Sequence, residues 1–101
     1  MSGSPSEEHS SYTLLHPLTT VAVLTDVRHE RCVQDSRWGE QNHDPATWLA
    51  VLTEEVGELA QAVLADRYGR DDHNSRQMGM RAEAVQIAAV AIAFVEYLDR
   101  R

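Results

Sequence analysis

Apolar residues recur at intervals of three and four positions along most of the chain, which is the spacing of amphipathic helices. No stretch alternates with the period of two that is typical of a strand. The first predicted helix begins near His16-Pro17, since proline suits a first helical turn, and ends at about Ser36, before Trp38-Gly39. Its predicted core face consists of Leu14, Leu18, Val21, Ala22, Cys32 and Val33.

The second predicted helix has the clearest start signal. Asp44 is a good N-cap, and Pro45 follows at the first helical position. The helix should end near Tyr68, with Gly69 as its C-cap. The apolar positions behind the cap are Trp48, Leu49, Leu52, Val56, Leu59 and Val63.

The third predicted helix spans about Met78 to Leu98, after a polar stretch, Arg70 to Gln77, that is predicted to be a loop. From Ala82 onward this helix is apolar on most of its sides, and such helices are usually central in a bundle. We therefore predict an all-α fold, a helical bundle of about three main helices per chain. In a chain of three helices, the extra apolar surface indicates that a second subunit covers part of it, so that the bundle is completed by dimerisation.

Length and composition indicate one domain. The chain has 101 residues, of which 43% are hydrophobic and 25% charged. Residues 1–12 lack the basic stretch and apolar core of a signal peptide and are predicted to be a disordered tail, with the helical domain at 13–101. No membrane helix is predicted, because the longest apolar run, Ala84 to Val95, is shorter than the roughly 20 residues that span a bilayer.

The charge balance restricts the partners. Sixteen acidic and nine basic residues give a formal net charge of -7, and all the basic residues are arginine. A general nucleic-acid binder needs a basic face that this chain lacks, whereas a phosphorylated ligand held through a metal stays possible. The single cysteine, Cys32, excludes an internal disulfide framework, and a reducing cytoplasm is the predicted location.

Several acidic side chains fall on the core-facing sides of the predicted helices. At about 100° per residue, Glu55 lies inside the apolar arc of the second helix and Glu58 at its margin, with Glu54 one step further toward the polar side. Glu83 lies at the centre of an apolar face of the third helix, and Gln86 lies on the same face. A buried carboxylate without a partner is costly, so these acids should be paired or bind a metal.

Two arrangements satisfy such acids. In the first, arginine neutralises them, and Arg28 on the predicted buried side of the first helix is a candidate. In the second, carboxylates spaced by three residues on one helix meet a carboxylate from another, as in the metal sites of helical bundles. Oxygen ligands favour hard cations such as Mg²⁺ or Mn²⁺. The spacing by itself leaves both arrangements open.

The acids also form a two-part motif. Glu54 precedes Glu55-Val56-Gly57-Glu58, and after 24 intervening residues comes Glu83-Ala84-Val85-Gln86. This arrangement resembles the ExxE and ExxD motifs of the MazG-like, all-α nucleoside triphosphate pyrophosphohydrolases. The tryptophan-containing segment at 30–39 and Trp48-Leu49 resemble the compact MazG-like proteins of phage and bacterial genomes.

The resemblance implies a Mg²⁺-dependent enzyme, with Mn²⁺ as a possible substitute, that cleaves a nucleoside triphosphate between the α- and β-phosphates. It also implies a homodimer or higher homo-oligomer, with a four-helix-bundle-like core. By the same resemblance, Glu54 or Glu55 would act on the attacking water, and the metal ligands would be Glu54, Glu55, Glu58, Glu83 and Gln86. Gln86 stands where the family motif has aspartate, which removes one negative charge. The alternative is a catalytically degenerate relative that binds nucleotide or acts as a helical interaction module.

The two tryptophans are candidates for nucleobase binding. Trp38 lies where the first helix meets a loop and can stack on a base, with Gln34 or Asn42 supplying hydrogen bonds to its edge. The structural alternative for Trp38 and Trp48 is that each is a core or interface anchor, which is the commoner role of tryptophan.

Two arginines are predicted to reach the phosphates. Arg76 and Arg81 lie near the start of the third helix, and the guanidinium group suits phosphate geometry. Their structural alternative is to balance an acidic surface.

Overall fold

In a computed structural model of the chain, the described residues are 12–69 and 73–101, with only the backbone described at 73–75. This part of the chain contains three α-helices and no strand: α1 (Pro17–Trp38), α2 (Pro45–Tyr68) and α3 (His73–Arg100). The predicted all-α class with three main helices is confirmed. The predicted disordered tail, residues 1–12, lies outside the described residues except for Tyr12.

Local capping signals fix the start of α2. The Asp44 side chain accepts a hydrogen bond from the backbone N–H of Thr47 at 2.9 Å, and Pro45 occupies the first turn. Hydrogen bonding from the Thr47 side chain, followed by this backbone hydrogen bond, lowers the pKa of Asp44 because both favour the charged carboxylate. Both features match the prediction for this helix, whose other end is capped at Gly69.

The end of α1 depends on a left-handed glycine. The helix continues two residues beyond the predicted Ser36, to Trp38. Gly39 then adopts a φ of 70°, a conformation that costs glycine little, and its N–H donates to the carbonyl oxygen of Asp35. The chain turns here into the short connection to α2.

The start of α3 differs from the prediction. The helix begins at His73 rather than Met78, so part of the predicted loop, Arg70 to Gln77, is helical. The residues from His73 to Met78 include neither proline nor glycine, so polarity alone does not prevent a helix. Arg76 also forms an ion pair with Asp66 of α2 at 3.5 Å, which contributes a tertiary contact to this first part of α3.

Helix α3 is the central element. Helix α2 runs antiparallel to it, since Trp48 near the start of α2 stacks on Phe94 near the end of α3, while Glu58 lies close to Glu83. Helix α1 packs against α3 around the buried Val27. In the described part of the chain, α1 and α2 have no close backbone contact. A groove is therefore left between them, with α3 as its floor.

The buried core is small and is organised around Trp48. Its side chain is 2% exposed and its ring lies against the rings of His43, Phe94 and Tyr97. Trp48 is thus a core anchor, whereas Trp38 is 64% exposed. The buried apolar residues of the described chain are Val27, Trp48, Ala89, Val90 and Ala93.

The predicted core face of α1 is wrong for the single chain. Leu18 is 86% exposed and Val21 59% exposed, because α1 packs on α3 alone and no other helix covers its first half. Arg28, predicted to lie on the buried side, is also exposed. Of the predicted face, Val33 is half-buried; the exposed members are Leu14, Leu18, Val21, Ala22 and Cys32.

One helix meets the length and composition of a membrane span. This is the stretch Arg76–Arg100 of α3, and a central helix of a soluble bundle meets the same criterion. In this fold the stretch packs against both α1 and α2 and carries Glu83 and Glu96, the latter paired with Arg31. The absence of a membrane helix stays a prediction.

The two tryptophans provide a direct test of this packing. We expect Trp48→Ala to lower the free energy of unfolding by about 3 to 5 kcal/mol, because it leaves a cavity between α2 and α3. Trp38→Ala is the matched control and should change it by about 0.5 kcal/mol or less, since an exposed ring leaves no cavity. Urea unfolding followed by circular dichroism measures both; equal losses would contradict the described core.

Candidate functional site

Three glutamates converge where α2 packs on α3. Glu55 and Glu58 are one turn apart on α2, and Glu83 faces them from α3. One carboxylate oxygen from each lies within 4.8 Å of the others. Glu55 and Glu83 are half-buried and Glu58 is exposed, so the group is open to solvent on one side. We call these three residues the carboxylate cluster.

The carboxylate cluster has no neutralising arginine within the described residues. Arg28, the candidate suggested by the sequence, is exposed and makes no ion pair there. Glu55 Oε2 and Glu83 Oε2 are buried and, when the neighbouring carboxylates are ionised, have no hydrogen-bond donor, which is costly unless something else satisfies them. The ion pairs of the described chain are Arg31 with Asp35 and Glu96, Arg76 with Asp66, Arg81 with Asp26, and Arg100 with Glu40.

The electrostatics of the cluster follow from this arrangement. Burial raises the pKa of Glu55, and repulsion from Glu58 and Glu83, hydrogen bonding to Glu58 and the charge of Glu54 raise it further. Burial also raises the pKa of Glu83, with repulsion from and hydrogen bonding to Glu58 as further causes. Glu55 and Glu83 therefore hold their protons more tightly than usual in the absence of a cation.

The donor set fits a hard divalent cation. Glu55, Glu58 and Glu83 offer oxygen ligands only, and a cation between them would satisfy the two unpartnered oxygens and offset the repulsion. Mg²⁺ usually keeps several waters and binds substrate phosphates, which suits a site open on one side. Glu54, also predicted as a ligand, is exposed and lies outside the carboxylate cluster.

The groove between α1 and α2 collects most of the other predicted residues. We call it the interhelical groove; its volume is about 230 Å³. Gln34 and Trp38 lie on its α1 wall, and Glu55 and Gln86 lie on the side of α2 and α3. Its full lining is Glu30, Val33, Gln34, Arg37, Trp38, Gln41, Trp48, Val51, Glu55, Gln86, Val90 and Ala93.

Glu55 connects the groove to the carboxylate cluster. It is a member of the cluster and also lines the interhelical groove. The groove is smaller than the roughly 300 to 1,000 Å³ that encloses a whole small-molecule ligand, so it suits one part of a ligand. A ligand that contacts both Trp38 and Glu55 would extend from the groove to the carboxylate cluster.

Other predicted residues are not brought into the groove. Arg76 is paired with Asp66, and Arg81 is paired with Asp26 at 2.6 Å, so each guanidinium joins two helices. Neither lines the interhelical groove. These positions match the structural alternative for both arginines, and their predicted contact with phosphate stays a prediction.

Two charged residues of the groove were missed by the sequence reasoning. Glu30 and Arg37 lie on the same wall as Gln34 and Trp38. The signal was present as a polar series at intervals of three and four, Glu30, Gln34, Arg37 and Gln41. The prediction for α1 was based instead on its apolar residues, some of which are exposed.

Comparison with protein-family models, with curated proteins and with solved structures finds no match for this chain. The likeness to MazG-like proteins therefore consists of the motifs themselves. The chemistry of the site has to be argued from its geometry.

We expect the carboxylate cluster to destabilise the metal-free protein. Because folding raises the pKa of Glu55 and Glu83, their charged forms oppose folding above their ordinary pKa range. Thermal stability in chelator should therefore rise as the pH falls from neutral toward the ordinary pKa of glutamate, and a Glu55→Gln/Glu58→Gln variant should melt higher at neutral pH with a flatter pH dependence.

Divalent cations should reverse the order of stability of the wild type and the Glu55→Gln/Glu58→Gln variant. Mg²⁺ or Mn²⁺ is expected to raise the melting temperature of the wild type and to leave the double variant unchanged. Glu40→Gln makes the same chemical change at an exposed residue outside the cluster and should still respond to the cation. An equal response of wild type and double variant would contradict this interpretation of the cluster.

Proposed function

We propose that the chain is a Mg²⁺-dependent nucleotide pyrophosphohydrolase, which cleaves nucleoside or deoxynucleoside triphosphates to the monophosphate and pyrophosphate. The observation that carries the proposal is the position of Glu55, which belongs to the carboxylate cluster and lines a groove with Trp38 and Gln34. Triphosphate and base would then be bound at adjoining places. The MazG-like motifs, which include Glu55, Glu58 and Glu83, support the same reaction.

The residues have separate roles in this proposal. Glu55, Glu58 and Glu83 would hold the cation, which when bound neutralises phosphate charge and lowers the barrier to attack by water. Trp38 would stack on the base and so fix the direction in which the phosphates leave the groove. Orientation of this kind places the scissile bond beside the carboxylates.

Glu54 is the proposed base. It is exposed, precedes Glu55 on the chain and lies outside the carboxylate cluster. In hydrolysis, the water oxygen bonds to phosphorus, the bond from phosphorus to the bridging oxygen breaks and pyrophosphate leaves. The Glu54 carboxylate would accept the proton that the water gives up.

Gln86 supports a second candidate function. It lines the interhelical groove beside Glu55, at a position where an aspartate would add a charged ligand. Its amide oxygen can still contact a hard cation, but the site has one negative charge fewer. A protein that binds nucleotide without turning it over is therefore the alternative.

The enzyme proposal predicts release of pyrophosphate from triphosphates in the presence of Mg²⁺ or Mn²⁺. Glu58→Gln should lower kcat/KM by about 100-fold or more, because it removes a charged oxygen of the cluster at nearly constant shape. Glu40→Gln, outside the cluster, should retain activity. The measurement is pyrophosphate release over a panel of canonical and modified nucleotides.

A variant at Gln86 separates the two candidate functions. Gln86→Asp restores the negative charge and is expected to raise cation affinity and turnover. Saturable nucleotide binding with no pyrophosphate release from either the wild type or Gln86→Asp would favour the alternative. Release that persists in a folded Glu58→Gln variant would contradict the assignment of the carboxylate cluster.

The proposal also includes a homodimer. Apolar side chains remain exposed on all three helices, with Leu18 of α1 at 86%, Leu64 of α2 at 56% and Val95 of α3 at 55%. Burial of apolar surface is favourable by about 25 cal/mol per Å², and large exposed apolar patches mark interfaces. A second subunit that covers these faces would add to the small core of the single chain.

The oligomeric state is directly measurable. Sedimentation or light scattering should give at least twice the chain mass of 11.3 kDa. Leu18→Asp should shift the equilibrium toward monomer, since it places a charge in the apolar face, while Thr19→Asp on the exposed neighbouring position should not. A wild-type monomer at micromolar concentration would contradict this part of the proposal.

A further inference from the structure

The amide of Gln34 is fixed in one of its two possible orientations. Arg31 Nη1 donates a hydrogen bond to Gln34 Oε1 at 3.1 Å, across one turn of α1. A guanidinium group has donors and no acceptors, so the amide must turn its oxygen toward Arg31. The NH₂ end of the amide is then left for the interhelical groove, which Gln34 lines.

Arg31 is itself held firmly. Its Nε and Nη2 both donate to Glu96 Oε1, at 3.1 and 2.6 Å, and Nη2 lies 2.9 Å from Asp35 Oδ1. The Arg31 side chain is only 15% exposed. A guanidinium that is planar, shielded from water and bonded to two carboxylates cannot turn away from Gln34 without losing these contacts.

The other candidate amides differ from Gln34. Asn42 uses both ends, because its Nδ2 donates to Glu40 Oε2 and its Oδ1 accepts from Arg100 Nη2, and it does not line the groove. Gln41 and Gln86 also line the groove, and no side-chain hydrogen bond within the described residues fixes either amide. Gln34 is thus the groove amide whose donor and acceptor ends are set in advance.

We propose that Gln34 determines specificity by offering a donor to the nucleobase, and that Arg31 is its positioning residue. A carbonyl oxygen on the base can accept this hydrogen bond. An amino group at the same place would put its N–H donors opposite the NH₂ donor of Gln34. The base would then give up a hydrogen bond to water without gaining another. The site therefore selects bases that carry a carbonyl group over bases that carry an amino group. This inference rests on the proposed function, which is what places a base in the groove.

Nucleosides without phosphate test this inference independently of metal and turnover. Two pairs exchange a carbonyl group for an amino group, and with it an N–H for an unprotonated nitrogen at the neighbouring ring position: uridine against cytidine, and inosine against adenosine. Titrations followed by the indole N–H signal of Trp38 give their dissociation constants by nuclear magnetic resonance. We expect the carbonyl member of at least one pair to bind about tenfold more tightly, the size of one net hydrogen bond.

Three variants identify the groups responsible. Gln34→Glu keeps the contact with Arg31 but offers an acceptor to the groove, so the preference should reverse. Arg31→Met releases the amide, which can then turn either way, so the ratio of dissociation constants should fall toward one while nucleosides still bind. Asn42→Asp makes the amide-to-carboxylate change outside the groove and should leave the ratio unchanged.

The outcomes distinguish this inference from the reaction itself. The expected ratios without triphosphate hydrolysis would sustain the inference and contradict the proposed enzyme. Hydrolysis with a ratio that Gln34→Glu leaves unchanged would overturn the inference alone, and so would the absence of nucleoside binding to the wild type. If Arg31→Met weakens both members of a pair equally, Arg31 has only a structural role and its positioning role is overturned.

Discussion

The structure depends on the way three carboxylates are held between two packed helices without a neutralising arginine among the described residues. Glu55 and Glu58 on α2 and Glu83 on α3 lie on the surfaces through which those helices pack, and two of their oxygens are buried without a partner. Such a contact opposes folding when the groups are charged. The packing of Trp48 against Phe94, further along the same pair of helices, offsets it.

Within the contact between α2 and α3, one end contributes stability and the other end carries the candidate functional site. The end of the α2 and α3 contact near Trp48 is apolar and stacked, whereas the end near Glu58 and Glu83 is acidic and open to solvent. Functional sites commonly reduce stability in this way. Helix α1 packs on the other side of α3 and completes a groove that reaches the acidic end at Glu55. A ligand bound there would contact all three helices.

Periodicity predicted the helices and the unusual position of the acids, but not the groove. Proline and Asp44 marked two helix starts, and Glu55 and Glu83 stood out because they interrupt apolar faces. The apolar face of α1 was misplaced, because periodicity identifies an apolar stripe without showing which neighbour covers it. The start of α3 at His73 depends on residues distant in sequence, and the contact of Arg31 with Gln34 depends on side-chain orientation. The spacing of residues along the chain reveals neither.

The central claim is that the carboxylate cluster is a divalent cation site, and the location of bound Mn²⁺ tests it most directly. In ¹⁵N-labelled protein, paramagnetic broadening should appear first and saturably at the backbone amides around Glu55, Glu58 and Glu83. It should be lost there in the Glu55→Gln/Glu58→Gln variant. Broadening centred instead near Glu96 and Asp99, which line a separate pocket together with Arg31 and Arg100, or spread over the whole acidic surface, would contradict the account.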